Sequence, residues 1–110
     1  MDLQRKGNRK MTLDDMLRDI HAMEEDLLMF ERKYGVLTET FYAAYQRGEE
    51  PEDDAWVLDW SEWAATWQIL LERQEQYRQA IQALLQESTV HNLSHLIGRT
   101  ARHEPIAVTR

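Results

Sequence analysis

The sequence has no cysteine, and only four glycines and two prolines among its 110 residues. Without cysteine the chain has no disulfide framework, no thiol nucleophile and no thiolate ligand for zinc, and it is compatible with a reducing cytoplasm. No apolar run approaches the roughly 18 residues that span a bilayer, and the start lacks a signal-peptide pattern, so we expect no membrane partner. The scarcity of turn-forming residues is typical of a mostly helical chain.

Sequence motifs of the common enzyme classes are missing as well. There is no P-loop, no dinucleotide-binding glycine pattern and no nucleophile elbow. Acidic pairs such as that at residues 24–25 fall on outward helix faces, whereas acid–base catalysis needs carboxylates in unlike environments. Glu87, His91 and His95 have the i, i+4, i+8 spacing of metal ligands on a helix, but we interpret them as a solvated face near a helix end. We therefore predict that the protein is not an enzyme and needs no metal or cofactor.

The net charge of −7 is unevenly distributed along the chain. Residues 1–10 sum to +3, residues 11–87 to −12 and residues 88–110 to +2. An acidic body of this kind disfavours contact with a phosphate backbone and favours a basic partner. Only the two short basic ends are suited to nucleic acid.

The most informative stretch runs from Asp54 to Glu87. Apolar and aromatic residues recur there in alternating steps of four and three, which is the heptad spacing of a helix that buries a narrow stripe. No Gly or Pro interrupts it, so we predict one unbroken helix about 50 Å long. The predicted core or oligomer seam begins with all four tryptophans and continues toward the C-terminus: Trp56, Trp60, Trp63, Trp67, Leu70, Gln74, Tyr77, Ile81 and Leu84.

Two readings of this stripe stay open at this level. The tryptophans are either core residues or, in part, a groove for a partner, because tryptophan is also enriched at binding hot spots. Gln74, the one polar residue of the stripe, either fixes the register of a buried seam or marks where the seam emerges into water.

A second heptad stripe precedes the long helix. Thr12 is a suitable N-cap, and Gly35 is suited to the position that ends the helix, so we predict a helix of about 23 residues between them. Thr38 is then predicted to cap a short helix that runs to about Arg47 and is ended by Gly48, with Leu37 and Tyr42 placed as a hydrophobic staple over its first turn.

Together these elements predict an all-α fold. The predicted architecture is an antiparallel helical hairpin with a short corner helix and one long C-terminal helix. Because two helices cannot enclose a tryptophan, we expect a coiled-coil-like oligomer, most simply a homodimer. The domain boundaries are a basic flexible lead-in at 1–10, the hairpin domain at 11–87 and a partly extended tail at 88–110. The end of the long helix overhangs its partner, and the tail has apolar residues without a core of its own. We therefore expect both to bind another protein, through Tyr77, Ile81, Leu84, Leu93, Leu96, Ile97, Ile106 and Val108.

Three local patterns, taken together, carry a resemblance. They are the run at residues 31–35 (Glu-Arg-Lys-Tyr-Gly), then Phe41, then the run at residues 59–63 (Asp-Trp-Ser-Glu-Trp) after an acidic loop. This order resembles a group of small helical bacterial and archaeal proteins, the antitoxin partners of small TumE-like toxins. The resemblance covers residues 12 to 85 and implies neutralisation of a toxin by binding. The positions it singles out are Tyr34, Gly35, Phe41, Asp59, Trp60, Glu62 and Trp63.

We therefore expect an antitoxin-like protein that covers a small basic toxin, in a hetero-complex or as a homodimer. Two other functions fit the same features. One is a self-associating helical adaptor with a structural role, and the other is an acidic nucleic-acid mimic that occupies a phosphate-binding groove.

Overall fold

The computed structural model describes residues 11–87 and 89–108, and in this part of the chain it has four α-helices. They are α1 (Leu13–Tyr34), α2 (Thr38–Gln46), α3 (Val57–Gln86) and α4 (Leu93–Ala101), with a 3-10 turn at Asp54–Trp56 in front of α3. The described residues form no strand beyond one isolated antiparallel bridge between Thr12 and Ala107. The predicted all-α class is confirmed. The coiled-coil-like hairpin and its oligomer stay predictions, and the basic lead-in lies outside the described residues.

Helix α1 begins and ends as its sequence predicts. Thr12 Oγ1 accepts a hydrogen bond from the Asp15 N–H at 3.2 Å, and the Asp15 carboxylate accepts from the Thr12 N–H at 3.0 Å. This reciprocal pair satisfies two of the N–H groups that lack an intrahelical acceptor. At the other end Gly35 has φ +79° and donates its N–H to the Glu31 carbonyl at 2.8 Å, so the helix stops where a residue without Cβ permits a left-handed backbone.

Helix α2 begins at Thr38, one residue earlier than a helix capped by Thr38 would begin. Its N-cap is Leu37, which is 64% exposed and offers no side-chain hydrogen bond, so the expected cap by Thr38 and the packing of Leu37 over the first turn are wrong. The carboxylate of Glu31 does the capping instead, because it accepts the Thr38 N–H at 2.9 Å. A side chain from the preceding helix therefore satisfies the start of this one.

The long helix is continuous over the predicted range. Asp53 accepts a hydrogen bond from the Ala55 N–H at 2.9 Å and starts the 3-10 turn, which leads directly into α3. The helix ends at Gln86, and the 30 residues of α3 alone correspond to about 45 Å. The absence of Gly and Pro within it accounts for the unbroken run.

The described chain divides into two compact units. The central unit is Asp19–Gln74, and the terminal unit combines the described residues of 11–18 with those of 75–108. In the central unit the end of α1 packs on the start of α3 through Tyr34 and Trp63, and Asp19 lies 3.6 Å from Arg73. The central unit holds the aromatic residues singled out by the resemblance.

The terminal unit overturns the prediction of a tail without a core of its own. After α3 the chain turns, forms α4 and continues to Val108, and five residues of this unit are buried together: Leu13, Leu84, Val90, Leu96 and Ile106. Two backbone hydrogen bonds, Leu13 N–H to the Ile106 carbonyl at 2.8 Å and Val108 N–H to the Met11 carbonyl at 3.0 Å, hold the last segment. The overhang is thus covered by the chain itself, since burying these side chains removes apolar surface from water.

Candidate functional site

Aromatic rings from three helices meet around Trp63, which is only 1% exposed. Phe41 of α2 stacks on the Trp63 ring system at a centroid distance of 3.9 Å and an interplanar angle of 1°. Phe30 and Tyr34 of α1 stack on Trp63 at 5.6 Å each. We call this cluster of Phe30, Tyr34, Phe41 and Trp63 the aromatic corner. Stacked rings of this kind add to the free energy gained from burial alone.

A buried hydrogen-bond relay fastens the aromatic corner to the turn between α1 and α2. The Trp63 indole N–H donates to Thr38 Oγ1 at 2.9 Å, and the Thr38 hydroxyl donates to the Glu31 carboxylate at 2.8 Å. Thr38 is 2% exposed, so each of its polar atoms needs these partners. Thr38 and Glu31 therefore orient the indole, a role that the sequence analysis did not assign to them.

Asp59 ties the start of α3 to the end of α1. Its carboxylate accepts hydrogen bonds from the Lys33 ammonium and from the Tyr34 hydroxyl, both at 2.6 Å. The hydrogen bond from Lys33, followed by that from Tyr34, lowers the pKa of Asp59 below its ordinary value of 3.8. Burial, then the hydrogen bond to Asp59, raises the pKa of Tyr34 above 10.0, and the same carboxylate raises the pKa of Lys33 above 10.5. All three groups thus keep their pairing across the neutral range.

The residues of the resemblance pattern are thereby brought together, and most serve the fold. Tyr34, Phe41, Asp59 and Trp63 make the contacts just described, and Gly35 supplies the left-handed turn between two of the helices. Glu62 differs, because its side chain is exposed. In this chain the pattern therefore describes a structural corner with one exposed carboxylate, that of Glu62.

The tryptophan stripe is buried only in part. Trp63 and Leu70 are 1% and 3% exposed, whereas Trp56, Trp60 and Trp67 are half-buried. Trp60 meets Phe41 edge-on at 5.2 Å, and its indole N–H has no hydrogen-bond partner in the described structure. The stripe thus divides between the core and the surface of the protein.

Between α1 and α3 the central unit has a cavity of about 340 Å³. We call it the acidic groove, and its lining residues are Asp26, Met29, Phe30, Lys33, Asp59, Glu62 and Thr66. Three of these are acidic and one is basic, which gives the lining a net charge of −2. The residues recur at helical spacing on both helices, so the groove runs between two adjacent helix faces.

The charge of the chain is concentrated in the unit that contains this groove. Residues 19–74 include fourteen acidic and four basic residues, a net charge of −10, whereas the described residues of the terminal unit include five and four, a net charge of −1. The negative charge of the described chain is therefore concentrated on the central unit.

The partner-binding residues predicted from sequence lie mostly in the terminal core. Three of the predicted residues, Leu84, Leu96 and Ile106, are at most 4% exposed. Three more of them pack against this core and are partly buried: Tyr77, Ile81 and Val108. The prediction that they form a binding surface is wrong for the three buried residues, because the chain itself covers them. Leu93 and Ile97 are 54% and 55% exposed.

The spacing of Glu87, His91 and His95 does not produce a shared helix face. Helix α3 ends before Glu87, and His91 has φ +69°, which breaks the helical path between them. The two imidazole rings lie 4.9 Å apart, and His95 Nδ1 contacts the Val90 carbonyl. Among the described residues no cluster of three His, Cys, Asp or Glu side chains is placed to hold a metal ion.

Comparisons with protein-family models, with curated proteins and with solved structures give no significant match to this chain. Within the described ranges, none of the helices combines the length and the apolar character that crossing a bilayer requires.

Proposed function

We propose that this protein is an antitoxin-like binding protein that inhibits a small basic toxin by direct contact. The observation that carries the proposal is the net charge of −10 on the central unit, against −1 on the described terminal unit. Such a field attracts a basic protein and accelerates its association. The pair would act in the cytoplasm, with which the cysteine-free sequence is compatible.

The roles of the polar side chains support binding over catalysis. Glu31 and Thr38 position an indole, and Asp59 pairs with Lys33 and Tyr34. These groups are engaged with each other, and the remaining carboxylates of the central unit are mostly exposed. A packed aromatic corner within a unit whose other carboxylates are exposed supports an inhibitor that works by covering its target.

Co-expression tests the proposal. The chain is produced in a bacterial host together with the product of a small basic reading frame adjacent to its gene, and growth is compared with that of cells that produce the neighbour alone. We expect growth to be restored and the two proteins to co-purify in a defined ratio. Failure to restore growth, with both proteins present at normal levels, contradicts the antitoxin function.

The charge of the central unit is also compatible with a nucleic-acid mimic, and the same complex separates the two. If the purified partner binds duplex DNA and this chain competes for that site, the mimic is favoured. Inhibition of a partner that has no affinity for nucleic acid favours the antitoxin.

A further inference from the structure

The acidic groove contains two carboxylates that the fold does not use. The Asp59 carboxylate accepts hydrogen bonds from Lys33 and Tyr34. Asp26 and Glu62, in contrast, have no hydrogen-bond or ion-pair partner among the described residues. Asp26 lies on α1 and Glu62 on α3, so the two line the cavity from different helices. Both are exposed and therefore accessible.

One exposed apolar side chain lines the groove, and a second lies on α3 close in sequence to the groove residues. Met29 lines the groove and is 68% exposed, and Leu58, one helical turn before Glu62, is 76% exposed. Methionine is flexible and polarisable, and it is frequent at surfaces that adapt to a partner helix. The site therefore combines an apolar contact with two carboxylates, which suits an amphipathic element that carries cationic side chains.

We infer that the acidic groove is the docking site for a basic amphipathic helix of a protein partner. An arginine or lysine side chain of that helix pairs with Asp26 and Glu62, while its apolar residues cover Met29. This inference rests on the proposed function and specifies where the partner binds.

Charge complementarity selects this occupant over the other candidates. A second copy of the chain brings another central unit of net charge −10, and nucleic acid brings phosphates, so both meet repulsion at a lining of net charge −2. A helix with lysine or arginine beside its apolar stripe is attracted in two ways: its cations pair with the carboxylates, and its apolar residues contact Met29.

The probe for the test is a synthetic 14-residue helical peptide of leucine and lysine with one apolar face, with a leucine–glutamate peptide of the same pattern as its control. Isothermal titration measures affinity for the full-length wild type and for two matched double variants. The groove variant is Asp26→Asn with Glu62→Gln, and the loop variant is Glu49→Gln with Glu50→Gln. Both change the net charge equally, and all four residues are exposed.

We expect the groove variant to bind the lysine peptide at least about tenfold more weakly than wild type, which corresponds to about 1.4 kcal/mol. The loop variant should remain within about twofold, because the Debye length of about 8 Å at physiological salt screens distant charges. Met29→Ser should also weaken binding, whereas Leu37→Ser, at a residue that is 64% exposed outside the groove, should not. Circular dichroism spectra of the variants confirm that they are folded.

Equal losses in the groove and loop variants, or no binding of the lysine peptide by wild type, overturn the inference. Equal affinity for the leucine–glutamate peptide does so as well. The growth assay separates this failure from failure of the proposed function. If wild type restores growth and the groove variant restores it equally, the docking site is wrong while the antitoxin function stands.

Discussion

Phe41 and Trp63 stack face to face, with ring centroids 3.9 Å apart and planes 1° from parallel. The two residues are separated by the acidic loop and come from different helices, so their contact fixes the position of α2 on α3. Because Tyr34 and Phe30 of α1 stack on the same indole, one side chain holds all three helices of the central unit together.

Truncation of this indole should be among the most damaging single changes in the chain. We expect Trp63→Ala to lower the free energy of unfolding by about 3–5 kcal/mol, because it leaves a cavity and removes three ring contacts. Chemical denaturation followed by circular dichroism measures it. The control is Trp67→Ala, at a half-buried position of the same helix. A smaller loss at Trp63 than at Trp67 contradicts the assignment of Trp63 as the centre of the unit.

The Thr38 hydroxyl should matter independently of its size. Thr38→Val keeps the shape of the side chain but removes the acceptor of the Trp63 N–H, and it leaves the Glu31 carboxylate only the Thr38 backbone N–H. We expect a loss of about 1–3 kcal/mol for a buried group left unsatisfied. Thr40→Val changes an exposed threonine of the same helix and should stay within about 0.5 kcal/mol. Similar losses for the two variants would mean that the relay does not stabilise the corner.

The pairing of Asp59 predicts how stability depends on pH. Since its pKa is lowered in the folded state, the pairing contributes stability above the ordinary pKa of 3.8 and this contribution is lost as pH falls through the lowered value. The pKa values of Tyr34 and Lys33 are raised, so their contributions are complete at neutral pH and are lost as pH rises through the raised values. Urea denaturation across pH should therefore show Asp59→Asn destabilised at neutral pH and converging with wild type in acid. Glu52→Gln, an exposed loop change, should not converge in this way.

The core of the terminal unit predicts different losses of stability for the two leucines of α4, which are three residues apart. Leu96 is 3% exposed, so Leu96→Ala should cost about 2–5 kcal/mol. Leu93 is 54% exposed, and Leu93→Ala should cost less than about 0.5 kcal/mol. Thermal unfolding of both variants tests this. Equal, small effects would restore the earlier expectation of a tail without a core.

Homodimer formation stays a prediction, and we expect it to increase with salt concentration. Two chains of net charge −7 repel each other, so self-association through exposed apolar residues such as Leu58 should strengthen as salt screens that repulsion. Binding of a basic partner should weaken under the same conditions. Sedimentation velocity at tens of micromolar protein, in low and in high salt, measures the self-association. A monomer at both salt concentrations rules out the homodimer.

The sequence predicted the helices well where local signals were strong. Short-range chemistry marks the start of α1 at the Thr12 cap and its end at the left-handed Gly35. The lack of Gly and Pro after Asp54 predicts the continuity of α3, and the structure has helices in both places. The relay through Glu31 and Thr38 could not be read in this way. The relay joins residues that are seven apart across a turn. A cap that comes from a side chain of another helix leaves no short-range pattern in the sequence.

Helix α4 was missed although the sequence contains a signal for it. Asn92 accepts a hydrogen bond from the His95 N–H at 2.8 Å, and Leu93, Leu96 and Ile97 follow at helical spacing. A helix of nine residues is marginal alone, and Gly98 weakens it further. Burial of Leu96 against distant residues such as Leu13 stabilises it, and that is a tertiary contact that no local pattern reports.

The bridge between Thr12 and Ala107 brings the first and last described residues close together within the terminal unit. With Met11 and Val108 joined by a hydrogen bond of 3.0 Å, a short linker between these ends would need little new backbone. New termini could then be opened in the exposed acidic loop around residue 52, which gives a circular permutant with the same helices in a different order. Such a permutant would begin with the tryptophan helix, and its folding would show whether the aromatic corner needs α1 to be synthesised first.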